Sequence, residues 1–167
     1  MIPFQLKLFL REELVTDNNI WYHTTLSKNL KSIKTQGLLL NQEPNYSIAS
    51  LEYMNDVYGM VPIFLSKHKE KYDNDENAVL LEVDMNGLEK FLVADIPTLA
   101  SHFGAYIEEY GVWFKEGNAP IPEFDQEEEI TFDDLLNGWA KDLAINLTKT
   151  CACLSSISND RIRIVST

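Results

Sequence analysis

No apolar run in the 167-residue chain approaches the roughly 20 residues that a helix needs to cross a bilayer, so no membrane partner is expected. The opening stretch, "MIPFQLKLFLREELV", carries Lys7, Arg11, Glu12 and Glu13 and has no small-residue cleavage site. No secretory leader is expected there, and the expected compartment is the cytoplasm. Cysteine is scarce. Cys151 and Cys153 are the two in the chain, too few for a zinc site or a disulfide framework by themselves. On a strand, residues with this spacing share a face and read as small apolar core residues. A chain of this length can bury a core without a staple. Positive charge is scarce too: 14 Lys and Arg stand against 26 Asp and Glu, a net charge of -12. Nucleic-acid binding draws most of its affinity from lysine and arginine. The nearest approach to a basic stripe is Lys67, Lys69 and Lys71, diluted by His68 and Glu70. A protein or small-molecule partner is expected instead of nucleic acid. There is no Walker loop, GxGxxG, GxSxG or HExxH. The three histidines, His23, His68 and His102, are far apart in the chain, so no metal site is expected. Neither an internal repeat nor a low-complexity segment is visible.

What is present reads as alternating strands and helices. Residues 4–10, "FQLKLFL", suit a strand, and "TDNN" at 16–19 a turn before the strand of "IWYHT". Ser27 suits the N-cap of a helix over "KNLKSIKTQ" that Gly37 ends. Leu30 and Ile33 share a face of that helix. "LLLNQEPNYS" reads as a loop. Residues 48–58 have helical spacing at Ile48, Leu51, Met54 or Tyr53, and Tyr58, and Gly59 ends them. "VPIFLS" (61–66), "AVLLEVD" (78–84) and "FLVAD" (91–95) read as strands, with a turn at Asn86 and Gly87. "KHKEKYDNDEN" is polar, a short helix or a loop. Pro97 opens a helix over 97–110. Residues 116–130 read as an acidic loop containing "EFDQEEE", a solvated face. Thr131 caps a long helix, with Asp133 and Asp134 in the first turn where the helix dipole favours them. "CACLSSI" and "RIRIVS" read as two final strands, with "SND" (158–160) as the turn between them. The expected class is α+β, a single domain over 1–167 with an acidic loop and helical insertion at about 97–149.

"IWYHTT", residues 20–25, ends an apolar run on a histidine just before a helix. His23 there is either a packed histidine at a strand edge or a side chain aimed into a cleft. The stretches around it follow an order: "YHTT" (22–25), "NLKSIKTQGL" (29–38), "PIFLS" (62–66), "VLLEVD" (79–84) and "ISNDRIRIV" (157–165). In that order and spacing the chain resembles the ADP-ribosyltransferase superfamily over nearly its whole length. The resemblance implies split antiparallel β-sheets around a cleft for NAD, flanked by helices. It implies that NAD is the substrate and that His23 hydrogen-bonds the nicotinamide-side ribose. It places Thr24, Thr25, Phe64 and Ser66 in the cofactor-binding motifs, with Tyr72 stacking on nicotinamide. Asp160 would take the place of the family's catalytic glutamate, binding the ribose 2′-hydroxyl and stabilising the oxocarbenium-like transition state.

The chemistry agrees with those residue types. Breaking the bond to nicotinamide builds positive charge on the ribose, which a pre-positioned carboxylate stabilises where water is excluded. A histidine fixes the ribose, and stacking fixes the leaving group. Three positions depart from the family pattern. Thr24 stands where a glycine backbone comes close to the nicotinamide amide. Phe64 replaces a tyrosine, and Asp160 is one methylene shorter than glutamate. Asn and Asp also favour turns on their own account. Two readings follow. One is a mono-ADP-ribosyltransferase acting on a protein or small-molecule acceptor. The other is a catalytically inactive protein of the same shape whose acidic surface binds a basic partner.

Overall fold

The computed structural model describes residues 19–43, 46–70, 76–125 and 129–165. The expected strand at 4–10, most of the turn at 16–19, Tyr72 and residues 126–128 of the acidic run lie outside the described residues. The elements are, in chain order, β1 (Ile20–Leu26), α1 (Leu30–Gln36), α2 (Ile48–Tyr58), β2 (Ile63–Ser66), β3 (Ala78–Asp84), β4 (Leu92–Ala94), α3 (Ile96–Phe103), β5 (Tyr106–Ile107), β6 (Gly111–Trp113), α4 (Pro122–Asp125), β7 (Ile130–Thr131), α5 (Phe132–Leu136), α6 (Ala140–Thr148), β8 (Thr150–Cys153) and β9 (Ile162–Ile164). Single 3-10 turns occupy Ser27–Asn29, Glu89–Phe91 and Asn159–Arg161. One sheet has the order β4-β8-β2-β1-β3-β9, and a second has the order β5-β6-β7. The pairs β1–β2, β1–β3, β3–β9, β5–β6 and β6–β7 are antiparallel. The class is therefore α+β. Among the described residues, no helix is long and apolar enough to cross a membrane.

The described chain divides into two compact units, residues 19–92 with 152–165, and residues 93–151. In the first, β1 and β3 pair along their whole length, from Ile20 opposite Asp84 to Leu26 opposite Ala78. β3 is apolar on both faces: Ala78, Leu80, Leu81 and Val83 are all buried. That is why it reads so clearly as a strand, and full burial of each large apolar side chain stabilises by about 1.5–3 kcal/mol. β9 continues the sheet, with Ile164 opposite Leu81 and Ile162 opposite Val83. Leu30 and Ile33 of α1 face Leu81, Ile162 and Ile164 across a cavity. Tyr58 of α2 meets Phe64 of β2 edge-on, with ring centroids 6.1 Å apart. The Cys151 and Cys153 side chains of β8 are fully buried, and burial pushes the Cys153 thiol pKa up.

In the second unit, β5, β6 and β7 form a small sheet whose Val112 and Ile130 are buried. α3 and α6 bury Ile96, Leu99, Ala100, Leu143, Ala144 and Ile145. Phe124 of α4 packs between Phe114 and Trp139, with centroids at 5.3 and 5.6 Å.

Several elements differ from their sequence expectation. Ser27 caps nothing. β1 runs on to Leu26, the Ser27 amide donates to Asn77 O at 2.8 Å, and α1 opens through a 3-10 turn with no side-chain cap. In α2 the buried face is Met54, Val57 and Tyr58, while Ile48 is 77% exposed. The helix that begins near Pro97 stops at Phe103, because Gly104 takes a left-handed φ of 61° and the chain turns into β5. The acidic loop holds the short helix α4 and the start of β7. Thr131 does cap a helix, in a capping box with Asp134. That helix, however, breaks into α5 and α6 at Gly138, where a Cβ would lie 2.8 Å from Asp134 Cα. β8 and β9 are not neighbours: β2, β1 and β3 lie between them.

Candidate functional site

β1 and β2 carry five of the named residues, divided between the two faces of the sheet. His23 and Thr25 point to one face of β1 and Thr24 to the other, since successive side chains alternate. Ser66 lies opposite Tyr22, so Ser66, and Phe64 two residues before it, share the Thr24 face. His23 is half-buried, and its Nδ1–H donates to Phe64 O at 2.9 Å. A carbonyl only accepts, so the proton sits on Nδ1, and Nε2 of the neutral ring is an acceptor. Burial holds the His23 pKa below its usual 6.5, and the bond to Phe64 opposes this less strongly. The ring is therefore neutral near pH 7.

The other polar groups of these strands are held locally. Asn29 Nδ2 donates to Thr25 Oγ1 at 3.2 Å, which orients that hydroxyl across the 3-10 turn. The sequence reading assigns Asn29 no role, although it opens the "NLKSI" motif. Ser66 is buried, and its Oγ accepts from the His68 amide at 3.0 Å. Lys67 Nζ lies 4.5 Å from the Trp21 ring centroid and donates to Ile20 O at 2.9 Å.

Asp160 sits two strands away, in the 3-10 turn that leads into β9. Long-range bonds fix that turn. Leu38 and Ile157 exchange backbone bonds at 2.9 and 2.8 Å. Asn159 Nδ2 donates to Lys34 O at 2.8 Å, satisfying a carbonyl of the last turn of α1. Arg161 Nη1 donates to Asp84 O at 3.1 Å and to Asn86 O at 2.6 Å. Arg161 carries no motif in the sequence. Its signal was the Asn86–Gly87 turn, whose carbonyls need a donor. Asp160 is exposed and accepts from Ser158 Oγ.

His23, Leu81 and Ile164 stand in one row across β1, β3 and β9. On the Leu81 face a cavity of about 290 Å³ opens between α1 and the sheet. Leu30, Ile33, Leu81, Ile162 and Ile164 form its apolar part, and Lys34, Asn159 and Arg163 its polar part. Neither His23 nor Asp160 lines it: Leu81 is the residue opposite His23, and Asn159 precedes Asp160. Arg163 is held by Glu82 at 2.7 Å. Among the described residues, no group of three or more His, Cys, Asp or Glu could hold a metal ion. Tyr72 lies outside the described residues. No protein-family model, curated protein or solved structure matches the chain.

Proposed function

We propose that the chain transfers ADP-ribose from NAD to a protein or small-molecule acceptor and releases nicotinamide. Two things support this reading: the order of its sequence motifs, and the state of His23. A neutral imidazole pinned through Nδ1 presents Nε2 as a fixed acceptor for a ribose hydroxyl. At about 290 Å³ the cavity beside Leu81 falls just below the roughly 300–1,000 Å³ usual for small-molecule pockets. It would take one end of a dinucleotide and leave the rest along the surface. In this reading Asp160 supplies the carboxylate that faces the ribose as the bond to nicotinamide breaks. Thr24, Thr25, Phe64, Ser66 and Tyr72 would contribute to NAD binding, as the resemblance implies.

One observation favours a second reading, a protein of this shape that binds a partner without catalysis. The Phe64 ring is engaged by Tyr58, and Ser66 is buried against the His68 amide. Both side chains serve packing. Titration of the full chain with NAD by calorimetry separates the readings. Saturable binding that weakens about tenfold or more in His23→Ala is expected, as for loss of a hydrogen bond in a site that excludes water. An absence of NAD binding by the parent protein would remove the transferase reading and leave the second.

A further inference from the structure

The β5–β6 hairpin carries aromatic side chains that stay exposed. Tyr106 is 46% exposed, Trp113 40% and Tyr110 66%. The other face of the same small sheet buries Val112 and Ile130 completely or nearly so, so the hairpin is anchored from behind. Tyr106 and Trp113 are directly opposite in the β5–β6 register. Their rings stack on each other at 5.7 Å with 17° between planes, and the pair stays partly exposed as a small aromatic platform. Lys115 Nζ lies 4.9 Å from the Tyr106 centroid, so this aromatic surface already accepts a cation. Glu108, Glu109 and Tyr110 form the exposed hairpin tip, closed by the Glu108 amide bonding to Gly111 O at 2.9 Å. From Tyr106 to Asp134 the sequence holds ten Asp and Glu residues against Lys115 as the single cation.

We propose that this platform docks a basic, arginine-bearing segment of a protein partner. A planar guanidinium stacks on an aromatic face and still bonds carboxylates through its edge, and here an aromatic platform and carboxylates occupy one hairpin. Surface aromatics beside charge of one sign are the composition of an interface core with a polar rim. The complementary charge also steers a basic partner towards a chain of net charge -12. This inference stands apart from the NAD reading, because it uses none of the same residues.

The test is fluorescence anisotropy of a labelled arginine-rich peptide with the full chain, alongside a lysine-rich peptide of equal length and charge. The arginine peptide should bind more tightly than the lysine peptide, and added salt should weaken both. The double variant Tyr106→Ser/Trp113→Ser should weaken arginine-peptide binding about tenfold or more. So should Glu108→Gln/Glu109→Gln, which changes only the exposed tip. Glu52→Gln/Glu70→Gln removes the same charge from exposed positions in the other unit and should change affinity much less. Equal losses from the two glutamate pairs would reduce the effect to net charge and overturn the proposal. So would equal affinity for the two peptides. A parent that sediments as a dimer, with Tyr106→Ser/Trp113→Ser restoring the monomer, would assign the platform to a second copy. Single-stranded nucleic acid that displaces the peptide would assign it to stacked bases. Either result also overturns the proposal.

Discussion

His23 couples its tautomer, its charge and the stability of the fold. Its folded pKa is lower than 6.5, chiefly through burial. Between that lower value and 6.5 the unfolded chain binds a proton that the folded chain does not. The stability is fully present above about pH 6.5 and declines as pH falls towards the folded pKa. His23→Asn keeps an N–H for Phe64 O and cannot titrate. Melting temperatures measured from about pH 7.5 to about pH 5 should fall more for the parent than for His23→Asn. Parallel curves would mean that His23 does not carry the term. At this scale the sequence exposed the residue but not its bond. "YHTT" flags His23 because polar residues follow an apolar run, whereas its partner is a backbone carbonyl 41 residues on. Gly37 shows the same divide. Its role as a helix terminator is legible, and its φ is 78°. Its second constraint is not legible: a Cβ there would lie 2.0 Å from Ile157 O.

Among the elements, β3 and β1 were the most readable, because continuous apolar or β-branched runs bounded by turns leave few alternatives. The ends of helices were less so. Serine and glycine mark where a helix can begin or stop, but Ser27 is taken by the strand ladder and Gly138 by a close approach to α5. Strand neighbours were the least legible. The final strand looks like the partner of β8, yet it pairs with β3. This pairing gives the C-terminal segment a structural duty. Ile157 is buried and bridges Leu38, Asn159 holds the end of α1, and β9 covers the edge of β3. Removal of residues 157–167 should abolish cooperative unfolding in urea, since it exposes a largely buried strand as a sheet edge. A truncated chain with the parent's midpoint and slope would contradict that account.

For the whole molecule, charge and motif order carry the functional argument. The net charge of -12 argues for a protein or small molecule over a phosphate backbone. The sequence placed "YHTT", "PIFLS" and "VLLEVD" on strands, and these are β1, β2 and β3, lying side by side in one sheet. It could not show that Phe64 and Ser66 would be engaged in packing, because Tyr58 and the His68 amide reach them only in the folded chain. Nicotinamide release from NAD, measured for the parent and for Asp160→Asn, tests the central claim most directly. The account predicts turnover by the parent and a loss of about a hundredfold to a thousandfold in Asp160→Asn. NAD affinity should change little, because the carboxylate acts chiefly on the transition state. Unchanged release by Asp160→Asn, or none by the parent with any acceptor mixture, would contradict it.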